Sequence, residues 1–75
     1  MTTPDNLIRM ANQIGTFFES MPDRPEAMEG LVKHLKSFWD PRMRKAFLAK
    51  VDGPENSQIS DIVLSAVRAH RALIE

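Results

Sequence analysis

The sequence predicts an all-α protein, a small compact bundle of about four short helices forming a single domain over residues 1–75. Three observations lead there. Apolar side chains recur at steps of three and four in four separate stretches, the spacing that stacks them on one helical face. Proline or glycine beside a capping residue separates the stretches. No segment alternates with period two over a useful length, so no sheet is expected. Short connections imply an orthogonal or an up-down bundle, and periodicity does not choose between them.

The first helix is expected over about 4–20, where Leu7, Met10, Ala11, Ile14, Phe17, Phe18 and Met21 keep the helical step. Thr3 can cap it, with Pro4 at the first helical position, where a missing N–H costs nothing. Ser20-Met21-Pro22 ends it, because proline pushes its predecessor out of the α region. Asp23 followed three residues later by Glu26 is a capping-box pattern and opens a second helix over 24–39. Its apolar residues are Ala27, Met28, Leu31, Val32, Leu35, Phe38 and Trp39. Asp40-Pro41 then caps and opens a third, over 41–51, with Met43, Ala46, Phe47 and Val51 on its apolar side. Asp52-Gly53-Pro54-Glu55-Asn56 reads as a loop. A fourth helix is expected over 57–74, capped by Ser57 or Asn56, with Ile59, Ile62, Val63, Ala66, Val67, His70 and Leu73 on one face. Arg68 and Arg71 lie near its C-terminal end, where the macrodipole favours cations.

A chain of 75 residues buries only about 60 % of the surface its unfolded form exposes, and such a core supplies no more than about 3–5 kcal/mol. Natural proteins of this size add disulfides, a metal or a partner chain. With no cysteine, a disulfide framework and a thiolate zinc site are both excluded, which leaves the partner. In isolation a second copy of the chain could serve, as a homo-oligomer. Ten basic and ten acidic residues cancel, removing the long-range pull that a basic domain exerts on nucleic acid or anionic membrane. The distribution is uneven: residues 31–50 carry six bases and one acid. The opening Met1-Thr2-Thr3-Pro4-Asp5-Asn6 lacks the charged and apolar regions of a secretory signal, and no run approaches the length of a membrane span. A soluble, cytoplasmic protein is therefore expected.

Chemistry-bearing patterns are scarce. His34 and His70 fall on different helices with no nucleophile motif beside them and no HxxxH spacing, so each reads as a packed or interface histidine. Glu26 and Glu29 lie three apart, but in the first turns of a helix, where acids complement the dipole. Gly15, Gly30 and Gly53 are too widely spaced for a phosphate-cradling loop. Catalytic, cofactor-binding and metal residues are thus not expected. The basic middle has the outline of a helix-turn-helix, yet Arg44 lies roughly 200° around the helix from Arg42, so the cations form no continuous stripe. A nucleic-acid-binding regulator remains the alternative from another class.

Two features point to docking on a protein. Arg42 and Arg44 open the third helix, where cations oppose the macrodipole at a cost of about 0.3–1 kcal/mol; such departures from local rules often mark functional positions, the alternative being a local offset by the Asp40 cap beside them. Their planar forks suit carboxylates or main-chain carbonyls on another chain. The adjacent pairs Phe17-Phe18 and Phe38-Trp39 subtend about 100° on their helices, so each can place one ring in the core and the other at its margin. The preferred docking element is the corner formed by Phe38, Trp39, Asp40, Arg42, Met43 and Arg44. Phe18, His34, Asn12 and Gln13 are further candidates, the last two as a polar pair inside a mainly apolar helix.

The same residues carry a family resemblance. Met10-Ala11-Asn12-Gln13-Ile14-Gly15 with Phe17-Phe18, and His34-Leu35 followed by Phe38-Trp39-Asp40-Pro41-Arg42-Met43-Arg44, resemble the delta subunit of soluble NAD-dependent formate dehydrogenases. The similarity covers roughly residues 7–51, the last helix being a looser match. It implies a cofactor-free accessory subunit that contacts a large catalytic subunit and contributes to assembly, stability or activity. The large subunit would carry a molybdenum or tungsten pterin and iron–sulfur clusters, and other subunits FMN and the NAD site. The residue census agrees, since a chain without cysteine or a glycine-rich loop is poorly equipped for clusters, flavin or NAD. A chaperone specific to the same enzyme is a further alternative; stoichiometry in the purified complex separates the two.

Overall fold

The computed structural model describes residues 4–75, with side-chain burial from residue 6 onward. The described chain is helical throughout, with no strand. Helix α1 spans Pro4–Glu19, α2 Arg24–Phe38 and α3 Pro41–Val51. A short 3-10 helix follows at Pro54–Gln58, then α4 at Asp61–Ala69 and α5 at Arg71–Ile74. The expected Thr3 cap of α1 lies outside the described residues.

Two starts are capped as the side-chain chemistry requires. The Asp23 carboxylate accepts the Glu26 N–H at 3.3 Å, the forward half of the capping box. Asp40 accepts the Met43 N–H at 2.9 Å, with Pro41 at the first helical position of α3. Each such bond satisfies a donor that helix geometry leaves without an internal partner.

The continuous helix expected over 57–74 is not formed, and neither expected cap operates. Ser57 is an exposed residue of the 3-10 helix, and the Asn56 amide donates to the Val51 carbonyl at 3.3 Å. Ser60, extended at φ −63 and ψ 154, is the residue that precedes α4. The physical reason is a contact from far along the chain. The Asn12 amide donates to the Gln58 carbonyl at 2.9 Å and accepts the Ser60 N–H at 2.9 Å. A second break falls at His70, whose φ −123 and ψ 32 leave the helical region. Beyond it, Arg71 grips Asp52 with both terminal nitrogens, at 3.0 and 2.7 Å, and Ile74 is buried.

Helix α2 lies at the centre, packed against α1, α4 and α5, while α1 also packs on α3 and α4. Leu31, Val32 and Leu35 of α2 meet Phe47 and Val51 of α3 and Ile62, Val63, Ala66 and Val67 of α4 in one core. Each of these side chains except the Ala66 methyl contributes roughly 1.5–3 kcal/mol when removed from water. Gly15 lets α1 approach α4: a Cβ there would lie 2.7 Å from a Val63 methyl. Gly30 does the same for a ring, since a Cβ would lie 2.9 Å from the edge of Phe18.

Several residues on the expected apolar faces are in fact exposed. Met10, Phe17, Phe38, Ala46 and Leu73 face outward, whereas Ile8, Leu48 and Ile74, absent from those faces, are buried. A helix wedged between two neighbours buries a wider arc than a single stripe.

Candidate docking surface

Phe18, which reaches over Gly30, begins a chain of rings along the junction of α1 and α2. Its ring stands edge-on to Phe17 at 5.1 Å between centroids and 6.2 Å from His34. His34 in turn lies 4.6 Å from Phe38, one helical turn further along α2. The outer members are open to water: Phe17 is 69 % exposed and Phe38 74 %. Met10, two turns before Phe17 on the same face of α1, is 38 % exposed. Together these side chains form an exposed apolar seam, the kind of surface that soluble proteins keep small unless something covers it.

The adjacent aromatic pairs divide as their angular separation requires. Phe18 packs against the core while Phe17 faces out. Trp39 is only 5 % exposed and meets Phe47 edge-to-face at 5.5 Å, while Phe38 faces out. Trp39 therefore anchors the corner from within, and Phe38 carries its apolar surface.

The guanidiniums separate in the same way. Arg42 is exposed and Arg44 half-buried, in keeping with their angular separation on α3, and Met43 is half-buried between them. Nε and Nη1 of Arg44 are buried without a hydrogen-bond partner among the described residues. A buried donor without an acceptor costs about 1–3 kcal/mol, more for a charged group, so this arrangement needs a compensating use. Asp40 is occupied as the cap of α3 and does not neutralise it. Elsewhere in the basic middle, Lys33 pairs with Glu29 at 3.8 Å and Lys50 with Glu55 at 2.9 Å. Among the described residues, Lys36, Arg42, Arg44 and Lys45 have no such acidic partner.

Asn12 and Gln13 play different parts. Both ends of the Asn12 amide are engaged in holding residues 58–60, whereas Gln13 is exposed. Sequence reasoning missed Phe17 and Met10 as members of the surface. Their seven-residue separation was a usable signal, since it places them on one face beside, rather than within, the Leu7-Ala11-Phe18 stripe. Among the described residues no three His, Asp or Glu side chains converge as a metal-binding group, and no helix is long and apolar enough to cross a membrane.

The chain was compared with known proteins. No curated protein and no solved structure matches it. A family described as the NADH-dependent formate dehydrogenase delta subunit FdsD matches residues 6–67. That span takes in the α1 signature, the ring seam, the Phe38–Arg44 corner and all but the end of α4. With most of its length so matched, the chain belongs to the FdsD family of formate dehydrogenase delta subunits.

Proposed function

We propose that this chain is a non-catalytic accessory subunit that binds the large catalytic subunit of a cytoplasmic, NAD-dependent, molybdenum- or tungsten-containing formate dehydrogenase. It acts as one helical domain and supports assembly, stability or activity of the complex. Family membership across residues 6–67 carries this reading. The chain's own chemistry supports it. Without cysteine it offers no thiolate for iron–sulfur clusters, and without a glycine-rich loop it has no phosphate cradle for FMN or NAD. Those groups and the pterin belong to the partner subunits, and formate oxidation and electron transfer take place there. What remains to this chain is its surface, and the exposed Phe38 with Arg42 and Arg44, which have no acidic partner among the described residues, are the preferred contacts.

The test is purification of the enzyme from cells that make or lack the tagged chain. The chain should remain at fixed stoichiometry with the large subunit in active enzyme. Its omission should lower the yield or thermal lifetime of that enzyme. Arg42→Glu with Arg44→Glu should weaken co-purification while the isolated variant keeps its helicity. A chain that leaves before the active complex is isolated would instead be an assembly chaperone.

A further inference from the structure

The cations of α3 follow the ring seam of α1 and α2 directly along the chain. Phe17, Phe18, His34 and Phe38 line the α1–α2 junction, and the chain turns once, at Trp39-Asp40, between the last ring and the first guanidinium. We propose that this face receives an acidic amphipathic segment of the large catalytic subunit, whose apolar side chains cover the rings while its carboxylates meet Arg42 and Arg44. The inference rests on the subunit reading above and adds to it the place and chemistry of the contact.

Charge complementarity selects the occupant. Residues 31–50 hold six bases and one acid, and the single acid is used as a helix cap. Two of the bases are paired within the chain, leaving the others without an acid among the described residues. Arg44 adds a more specific argument. Its two buried donors have no acceptor among the described residues, so swinging the side chain outward breaks no hydrogen bond to them, and a carboxylate can then take both ends of the planar fork. Nucleic acid fits less well, because the seam is apolar and the chain has no net charge. A second copy fits less well too. In a two-fold contact the same patch faces itself, which would bring these unpaired cations together. Aromatic rings beside arginine are the combination enriched at the centres of protein interfaces.

The experiment measures binding of the isolated full chain to the purified large catalytic subunit. Phe38→Ala alters an exposed side chain, so its thermal melt should match the unsubstituted chain, and that of Arg42→Glu should be no lower, since an acid suits the start of α3. Each should weaken binding by roughly tenfold or more, as central interface residues do. Arg44→Glu should weaken it similarly, and Arg68→Gln, on the exposed side of α4, should leave it unchanged. Affinity of the unsubstituted chain should fall with added salt, and Arg42→Glu should flatten that dependence while Phe38→Ala preserves it. Binding of all three seam variants at unsubstituted strength would overturn the inference and leave the subunit reading intact. Absence of any binding by the unsubstituted chain would overturn the subunit reading and this inference with it. Self-association of the chain that Phe38→Ala abolishes, with binding to the large subunit unaffected, would identify a second copy as the occupant and overturn the proposal.

Discussion

Phe38 and Trp39 are neighbours in the chain with opposite environments, and the difference predicts opposite mutational effects. Trp39 is buried against Phe47, so Trp39→Ala should cost about 3–5 kcal/mol. That is comparable to all the stability a core of this size supplies, about 3–5 kcal/mol, so the isolated variant should be largely unfolded. A cooperative melt near that of the unsubstituted chain would show that the indole is not a core element. The two cap positions offer a second contrast. Asp40 bonds the Met43 N–H, and Asp40→Ala should cost about 0.5–2 kcal/mol. Ser60 stands at the start of α4, but its hydroxyl makes no cap bond and is buried near Gly15 without a partner among the described residues. Ser60→Ala removes that unsatisfied hydroxyl and should therefore raise stability, by up to about 1–3 kcal/mol, against the usual behaviour of a serine cap. Equal losses at the two positions in urea unfolding would refute this distinction.

At the level of elements, α1 determines how the second half of the chain folds. The Asn12 amide joins the end of the 3-10 helix to the start of α4, across 48 positions of sequence, and thereby holds the bend at Ile59-Ser60. Asn12→Ala leaves the Gln58 carbonyl and the Ser60 N–H without this partner and should cost about 1–3 kcal/mol. Asn12→Asp keeps an acceptor for Ser60 but turns a carboxylate oxygen toward the Gln58 carbonyl, so it should not restore stability. Amide exchange checks the mechanism: the Ser60 N–H should lose protection before the centre of α2 does. Uniform loss across the molecule would mean that Asn12 acts on global stability instead. The extents of α2 and α3 were legible because a capping acid and a proline stand at their starts, and that of α1 because proline opens it and another follows its end. The breaks in the last helix were not, because neither Gln58 nor Ser60 indicates locally that Asn12 will reach it.

Over the whole molecule, ion pairs near the surface tie α5 to the end of α3 and α3 to the 3-10 helix, which makes stability depend on acid. The hydrogen bonds from Arg71 are the main reason that the Asp52 carboxyl titrates below its ordinary 3.8. The bond from Lys50 likewise holds Glu55 below 4.5. Both groups bind protons more weakly in the folded chain than in the unfolded one. Their contribution is therefore fully present above those ordinary values and is lost as pH falls through the folded ones. The melting temperature should be nearly flat at neutral pH and decline from about pH 5 downward. In Arg71→Ala, which also releases Glu75, the neutral melt should be lower and the acid decline shallower. An identical acid slope in the two proteins would show that the Asp52 pair does not couple to folding. By itself, the sequence determined the helical class, the first three helices and the aromatic and basic character of the 38–44 corner, because these follow from local spacing, proline geometry and capping chemistry. It also carried the resemblance to the delta-subunit family through its two motifs. Only the tertiary structure decided which ring of each pair is exposed, that Asn12 is an internal clamp, that the Arg44 donors lack an acceptor among the described residues, and that the last helix is divided. Each depends on which helix lies alongside, and contacts between distant segments leave no mark in the local periodicity of either one.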